Sequence, residues 1–263
     1  MTTLEERFLS SYPILAGLGR ADADGKPLGN PRMEAIAPDQ WRIICEACFG
    51  YLWNRPGLTM EQRSLATMST LVALRRDDNL HGHLLSGLDV GLSAEQIVEM
   101  MLQLIYYVGA PMANTALLRA NDVFIERGIQ VDPYRVYDTK ESPEDLYRRG
   151  LTKRTEVLGD GAGRSFDKDE AVDQDWERHL LEYLWGSIWT RPGLSTQDRC
   201  ICTLSALMVV GTDSAIRTYV GAALRLGLTQ DQVRELCFQQ TFYIGTQNAR
   251  HAKTLAEEVF LAN

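Results

Sequence analysis

The sequence predicts an all-α protein made of two tandem helical repeats. Shifting the 263-residue chain against itself by about 136 residues aligns roughly 79 positions without a gap, and about 25 of these are identical. Within each copy, apolar residues recur at helical intervals, and no segment shows the alternation expected of a strand. We therefore expect a first repeat at 1–130, a linker with the N-terminal arm of the second repeat at 131–170, and a second repeat at 171–263.

The predicted helices begin at Ser or Thr residues that recur in both copies. Thr59, Ser93 and Thr229 are each followed three residues later by Gln, which is the spacing of a capping box. Gly91 and Gly227 close an amphipathic stretch and suit the left-handed position after a helix.

The segment between the copies contains prolines, glycines and many charges, and it predicts a partly extended linker. One short helix is expected near 143–149, because Ser142 can cap it and Pro143 suits its first position.

Composition excludes several classes of protein. A net charge of −8 argues against nucleic-acid binding and favours a small-molecule or protein partner. No apolar run approaches the ~20 residues of a membrane span, and the acidic N-terminus does not resemble a secretory signal. We expect a cytoplasmic protein without membrane association, whose five cysteines are reduced and packed as small hydrophobic residues.

Both copies resemble the carboxymuconolactone decarboxylase family, which includes alkylhydroperoxidase D-like proteins. The resemblance is carried by "LWNRPGLTMEQRSL" (52–65) and the run 81–114 in the first copy. In the second it is carried by "RGLTKRTEVLG" (149–159), "YLWGSIWTRPGLS" (183–195) and "GLTQDQVRELCFQQTFYIG" (227–245). It implies a carboxymuconolactone-decarboxylase-like helical fold that forms homo-oligomers, commonly rings of six single-copy chains. A double-copy chain would then form a trimer.

The resemblance also implies decarboxylation without a metal or organic cofactor, because an unsaturated lactone can itself accept the electrons. The family places a His eight residues before the Gly that ends its helix, and His83 before Gly91 fits that position. The family has a Glu directly after the Arg of an Arg-Glu-Leu segment. At that position the first copy has Ser64 and the second has Cys200. The counterpart of His83 is Tyr219, a phenol that can donate to an oxyanion.

These four residues, His83, Ser64, Tyr219 and Cys200, are the predicted catalytic candidates, and Tyr107 is expected beside His83 in a first-copy pocket. Further substrate-binding candidates are Arg63, Arg199, His81 and His251. The arginines can fork onto a carboxylate, but can equally tie the Arg-Pro-Gly turns to neighbouring helices. His81 and His83 point to nearly opposite sides of a helix, so they do not chelate one metal, and no metal site is expected.

Two other functions stay open at this stage. A thiol peroxidase needs a Cys-x-x-Cys shortly before the family His, and "CEAC" (45–48) lies instead ahead of the Arg-Pro-Gly turn. A non-catalytic binding or scaffolding protein is the third alternative, because the usual acid and imidazole pair is incomplete in both copies.

Overall fold

The computed structural model describes residues 3–132, 136–160 and 171–262, and this part of the chain contains helices and no strand. The predicted all-α fold is confirmed. The first half contains seven α-helices and one π-helical segment, π1. In chain order they are α1 (Leu4–Gly17), α2 (Pro31–Glu34), α3 (Pro38–Ile43), π1 (Ile44–Trp53), α4 (Met60–Ala73), α5 (Asp77–Asp89), α6 (Ala94–Val108) and α7 (Ala110–Glu126).

The second half has a similar order around a second π-helical segment, π2, with one helix fewer before it and one more after it among the described residues. Its elements are α8 (Pro143–Leu158), α9 (Ala171–His179), π2 (Leu180–Ile188), α10 (Thr196–Val210), α11 (Asp213–Arg225), α12 (Gln230–Gln239), α13 (Thr241–Ile244) and α14 (Thr246–Ala262).

The predicted helix caps are confirmed. Thr59, Ser93 and Thr229 each accept a hydrogen bond from the backbone N–H of the Gln three residues later, and each Gln side chain bonds back to the cap. Gly91 and Gly227 adopt φ values of 105° and 92°, which side chains other than glycine rarely adopt.

The helix predicted at 143–149 is longer than expected and ends at Leu158. The prediction stopped too early because the continuation of the helix depends on burial against a remote part of the chain. The buried residues Gly150, Arg154 and Val157 face the interior, and α8 packs along π2. Linker residues 133–135 and 161–170 lie outside the described part of the chain.

Glycine at matching positions lets each N-terminal arm approach its π-helical segment. A Cβ atom at Gly50 would lie 2.0 Å from the carbonyl oxygen of Arg7, and one at Gly186 would lie 2.3 Å from that of Leu146. Any larger residue would push α1 away from π1 or α8 away from π2, so the repeat requires glycine at both positions.

The two copies share one interior. Helix α4 of the first copy packs against α10 of the second. The cluster formed mainly by second-copy side chains includes Leu58 and Ala66, and the first-copy cluster includes Leu194 and Cys202. The copies therefore bury their apolar faces against each other, so residues of both copies can meet in one site.

Candidate functional site

The Arg-Pro-Gly turn of each copy is bound by a glutamate of the other copy. Both carboxylate oxygens of Glu99 lie 3.0 Å from Nε of Arg191, and both of Glu235 lie 2.9 Å from Nε of Arg55. The numbering difference is 136 in each case, so the two bonds are related by the repeat. These arginines have a structural role, because the bidentate pairs hold each turn onto the opposite copy.

Arg63 and Arg199 lie behind these pairs and are each 1% exposed. Arg199 donates to Glu99 at 2.8 Å and to the carbonyl oxygen of Arg191 at 2.9 Å. Arg63 donates to Gln239 and to the carbonyl oxygen of Arg55, both at 2.8 Å. Both side chains are thus engaged by groups of the protein itself, which is the structural alternative considered for them.

A Trp and a Tyr from opposite copies form the centre of each site. Trp189 donates from Nε1 to the hydroxyl of Tyr107 at 2.9 Å, and Trp53 donates in the same way to Tyr243 at 3.1 Å. Tyr107 therefore belongs with the second-copy residues and not with His83, which corrects the expected first-copy pocket. The physical reason is that α6, which carries Tyr107, packs onto α10, and α13, which carries Tyr243, packs onto α4, both across the boundary between the copies.

The second-copy site is closed by a pair of tyrosines. The hydroxyls of Tyr107 and Tyr219 lie 2.5 Å apart, and the Tyr219 ring stacks on Trp189 with centroids 6.3 Å apart. The buried thiol of Cys200 lies 3.7 Å from the carbonyl oxygen of Tyr219. Burial raises the pKa of Tyr219 well above its usual value, so both phenols are neutral and bonded to each other.

The first-copy site contains His83 where the second contains Tyr219. The His83 ring stacks on Trp53 at a centroid distance of 6.4 Å and meets the edge of Tyr243 at 5.7 Å. His83 is 8% exposed, and its buried Nδ1 finds no hydrogen-bond partner among the described residues. The Oγ of Ser64 is likewise buried without a partner there. Buried polar atoms without a partner are costly, and a water molecule or a ligand would satisfy both of them.

The surroundings keep His83 uncharged. Burial, and after it the positive charge of Arg20, lower the pKa of His83 well below 6.5. Burial also raises the pKa of the Tyr243 phenol, which is next to Cys48 and Arg20. Burial raises the pKa of the Cys48 thiol to about 12, so this side chain too is neutral. His83, Tyr243 and Cys48 are thus all neutral, and they lie near the positive charge of Arg20.

Tyr243, Trp53, Cys48 and Arg20 were not among the predicted site residues. Tyr243 could have been found as the repeat counterpart of Tyr107 once the copies were known to exchange these helices. Arg20 precedes the repeated part of the chain, so no sequence comparison between the copies indicates it.

The structure places His81 and His251 beside carboxylates at the surface. Nε2 of His81 lies 2.8 Å from a Glu126 oxygen, and Nε2 of His251 lies 2.8 Å from an Asp213 oxygen. Neither ring takes part in the contacts that join His83, Trp53 and Tyr243.

Acidification should destabilise the protein through His83. In the unfolded chain a histidine titrates near 6.5, and in the folded protein the pKa of His83 is lower. The unfolded state therefore binds the proton first, and the free energy of unfolding falls by up to about 1.4 kcal/mol per pH unit as pH drops below about 6.5. This contribution is fully present above that pH. Urea unfolding of wild type and His83→Gln between pH 7.5 and 5 measures it.

The variant should show a shallower decline than wild type over this pH range. Parallel curves for wild type and His83→Gln would show that His83 is not held neutral.

Among residues 3–132, 136–160 and 171–262, no group of three His, Cys, Asp or Glu side chains is placed to hold a metal ion. Within the same ranges, the helices are too short or too polar to span a bilayer.

These features define an all-α tandem protein with two related sites, each assembled from both copies. The sequence model of the carboxymuconolactone decarboxylase family matches residues 38–122 and 174–258, and the chain belongs to this family. The match covers both copies and confirms the resemblance. Arg20 lies outside it.

Two relatives are named as decarboxylases. The chain is 34% identical over 118 residues to a 4-carboxymuconolactone decarboxylase of Acinetobacter baylyi, covering 44% of this chain and 88% of the relative. It is 23% identical over 120 residues to the nitrosuccinic acid decarboxylase npaB of Metarhizium robertsii, covering 44% of this chain and 84% of the relative. Together with the family match, these relatives support a decarboxylase-family enzyme.

Proposed function

We propose that the protein decarboxylates a small lactone, keto or other activated carboxylic acid at the first-copy site, without a metal or organic cofactor. The observation that carries this proposal is the buried imidazole of His83, which has an unpartnered Nδ1 between Trp53 and Tyr243. A neutral imidazole beside a phenol is a suitable pair for moving a proton and stabilising an oxyanion.

The proposed chemistry assigns one role to each residue. The bond to the carboxylate breaks, carbon dioxide leaves, and the electron pair moves onto the carbonyl or comparable acceptor of the substrate. Trp53 donates to the Tyr243 oxygen, and we assign the Tyr243 O–H as the donor to that developing oxyanion. The anion raises the pKa of His83, which takes a proton from solvent and delivers it to the substrate carbon.

The second-copy site is proposed to be structural. Tyr219 replaces the histidine, and its hydroxyl binds Tyr107, so the phenol that corresponds to Tyr243 is already engaged. Tyr219 and Cys200 are therefore not assigned a catalytic step in this proposal.

A thiol peroxidase is less compatible with the cysteines. Burial raises the pKa of Cys45 to about 11 and that of Cys48 to about 12, whereas peroxide reduction needs an accessible thiolate.

We also propose that the protein is a cytoplasmic homo-oligomer, with a trimer favoured. Exposed Tyr51 and Phe238, whose ring centroids lie 6.3 Å apart with Arg55 over both rings, support a contact surface of aromatic and arginine side chains.

The direct test uses the full chain in the presence of a metal chelator, with no added flavin or nicotinamide. 4-Carboxymuconolactone and nitrosuccinate, the acids that the names of the two relatives indicate, are supplied separately with a ¹³C-labelled carboxyl group. Release of labelled carbon dioxide above the uncatalysed rate is expected from at least one of them. Ligand-induced stabilisation by both acids without release would favour a binding protein. Thiol-dependent reduction of tert-butyl hydroperoxide that is lost in Cys48→Ser would favour the peroxidase.

A further inference from the structure

We infer that Arg20 forms an anion subsite at the first-copy site and binds the carboxylate of the substrate. This inference rests on the proposed function for the location of the reacting group, but the subsite itself is defined by the contacts of Arg20.

The backbone of Arg20 is fixed on both sides. Its N–H donates to the carbonyl oxygen of Leu15 at 2.7 Å, and its own carbonyl oxygen accepts from the N–H of Leu28 at 2.9 Å. An isolated β-bridge between Ala21 and Pro27 follows directly. The residue therefore stands at the base of a closed turn after α1, with its side chain directed at α5.

The side chain lies against α5 beside His83. Nε donates to the Oγ of Ser86 at 2.8 Å, and Ser86 is 1% exposed. A Cβ atom at Gly82, the residue before His83, would lie 3.5 Å from Nη2 of Arg20. With Nε used by Ser86, the two terminal nitrogens remain as donors, and these can fork onto a carboxylate.

The charge of Arg20 has no counterion among the residues that the structure describes. Burial lowers the pKa of Arg20 from its usual value, yet a guanidinium stays protonated in proteins. The side chains that act on it are Tyr243 and Cys48, both of which are neutral because burial raises the pKa of each. Within the described residues, no carboxylate comes within 4.0 Å of Arg20.

The neighbouring carboxylate is engaged elsewhere. Asp89 follows Ser86 on α5 and packs close to Gly19, but it pairs with Arg127 at 2.8 Å. A largely buried cation without a partner is costly to maintain unless a ligand supplies the missing charge. Arg20 is partly exposed, so an anion from solvent can reach it, while its neighbours His83 and Ser86 are buried.

Such a subsite places a carboxylate next to the two groups that act on the remainder of the molecule. A small acid held by Arg20 meets His83 and Tyr243, whereas a neutral analogue gains nothing from the guanidinium. The ligand class is therefore a small aliphatic acid with at least one free carboxylate.

Calorimetric titration with succinate, and with its neutral analogue succinamide, tests the subsite without requiring turnover. Wild type should bind succinate and discriminate against succinamide. Arg20→Gln should weaken succinate binding about tenfold or more, the usual effect of losing hydrogen bonds to a charged group. Arg32→Gln removes an equal charge from an exposed position in the same N-terminal segment, and it should bind succinate as wild type does.

Two further measurements separate this inference from related failures. Absence of carbon dioxide release by wild type, together with succinate binding that depends on Arg20, would refute the proposed reaction and leave the subsite. If Arg20→Gln does not fold, a crystal structure of wild type with succinate decides, and a carboxylate on the terminal nitrogens of Arg20 is expected. Equal binding by wild type and Arg20→Gln, no succinate binding by wild type, or succinate bound elsewhere would overturn the inference.

Discussion

Replacing His83 by glutamine should lower the rate of carbon dioxide release by roughly 100- to 10,000-fold, the usual contribution of a positioned acid or base. Glutamine preserves a polar side chain of similar size but cannot accept and return a proton. His83 is buried against Trp53 and Tyr243, and no other imidazole in the described chain shares these contacts. No other histidine is therefore placed to protonate the substrate carbon. Steady-state kinetics on the acid that wild type decarboxylates measures the effect.

The repeat offers matched controls for this prediction. Tyr219→Phe changes the counterpart of His83, and Tyr107→Phe changes the counterpart of Tyr243. Both second-copy variants should retain most of the activity, whereas Tyr243→Phe should lose about 100-fold or more if the phenol supports the oxyanion. Similar losses in His83→Gln and Tyr219→Phe, or in Tyr243→Phe and Tyr107→Phe, would show that the second-copy site also takes part. Full activity in His83→Gln would refute the assignment of the first-copy site.

Replacing Glu99 by alanine should reduce the free energy of unfolding by about 3–5 kcal/mol, the usual cost of removing one partner of a buried ion pair. Glu99 is fully buried and binds both Arg191 and Arg199, and Arg199 is 1% exposed. The change leaves a guanidinium in the interior without its carboxylate. Urea unfolding followed by circular dichroism gives the change in free energy.

The counterpart variant Glu235→Ala should be less costly. The side chain of Glu235 is 12% exposed and that of its partner Arg55 is 37% exposed, so water can solvate the Arg55 charge. Buried Arg63 lies 3.6 Å from Glu235, and it keeps its bonds to Gln239 and to the carbonyl oxygen of Arg55. Glu126→Ala, in an exposed pair with His81, should change stability by less than about 1 kcal/mol. A loss for Glu99→Ala no larger than that for Glu126→Ala would show that the pairs across the copies contribute little.

Much of the fold follows from local patterns that the sequence displays directly. The capping boxes at Thr59, Ser93 and Thr229 and the left-handed glycines 91 and 227 all lie where the sequence indicates, because caps and turns depend on residues only a few positions apart. Helix α8 was underestimated because its stability depends on packing against π2, which is remote in sequence. The π-helical segments, which carry Trp53 and Trp189 at or next to their ends, had no recognised signal in the sequence.

The candidate site was only partly predictable. His83 was identified through its position in the family pattern, and its difference from Tyr219 was visible as soon as the copies were aligned. The prediction that Tyr107 lies beside His83 is wrong, because the alignment matches the copies in register and does not show that each Tyr lies in the other copy's site. The same limit concealed Tyr243, whose hydroxyl receives the bond from Trp53.

By itself, the sequence determined that this protein is a duplicated all-α chain of the carboxymuconolactone decarboxylase family, whose two copies differ at the key position. The tertiary structure alone decided which residues meet. Tyr243 lies in the first-copy site with His83, and Tyr107 and Tyr219 bind each other in the second-copy site. Arg20, from outside the repeat, lies at the first-copy site. The physical reason is that neither copy buries its apolar faces alone, so packing of α4 against α10 sets these contacts between residues far apart in the chain.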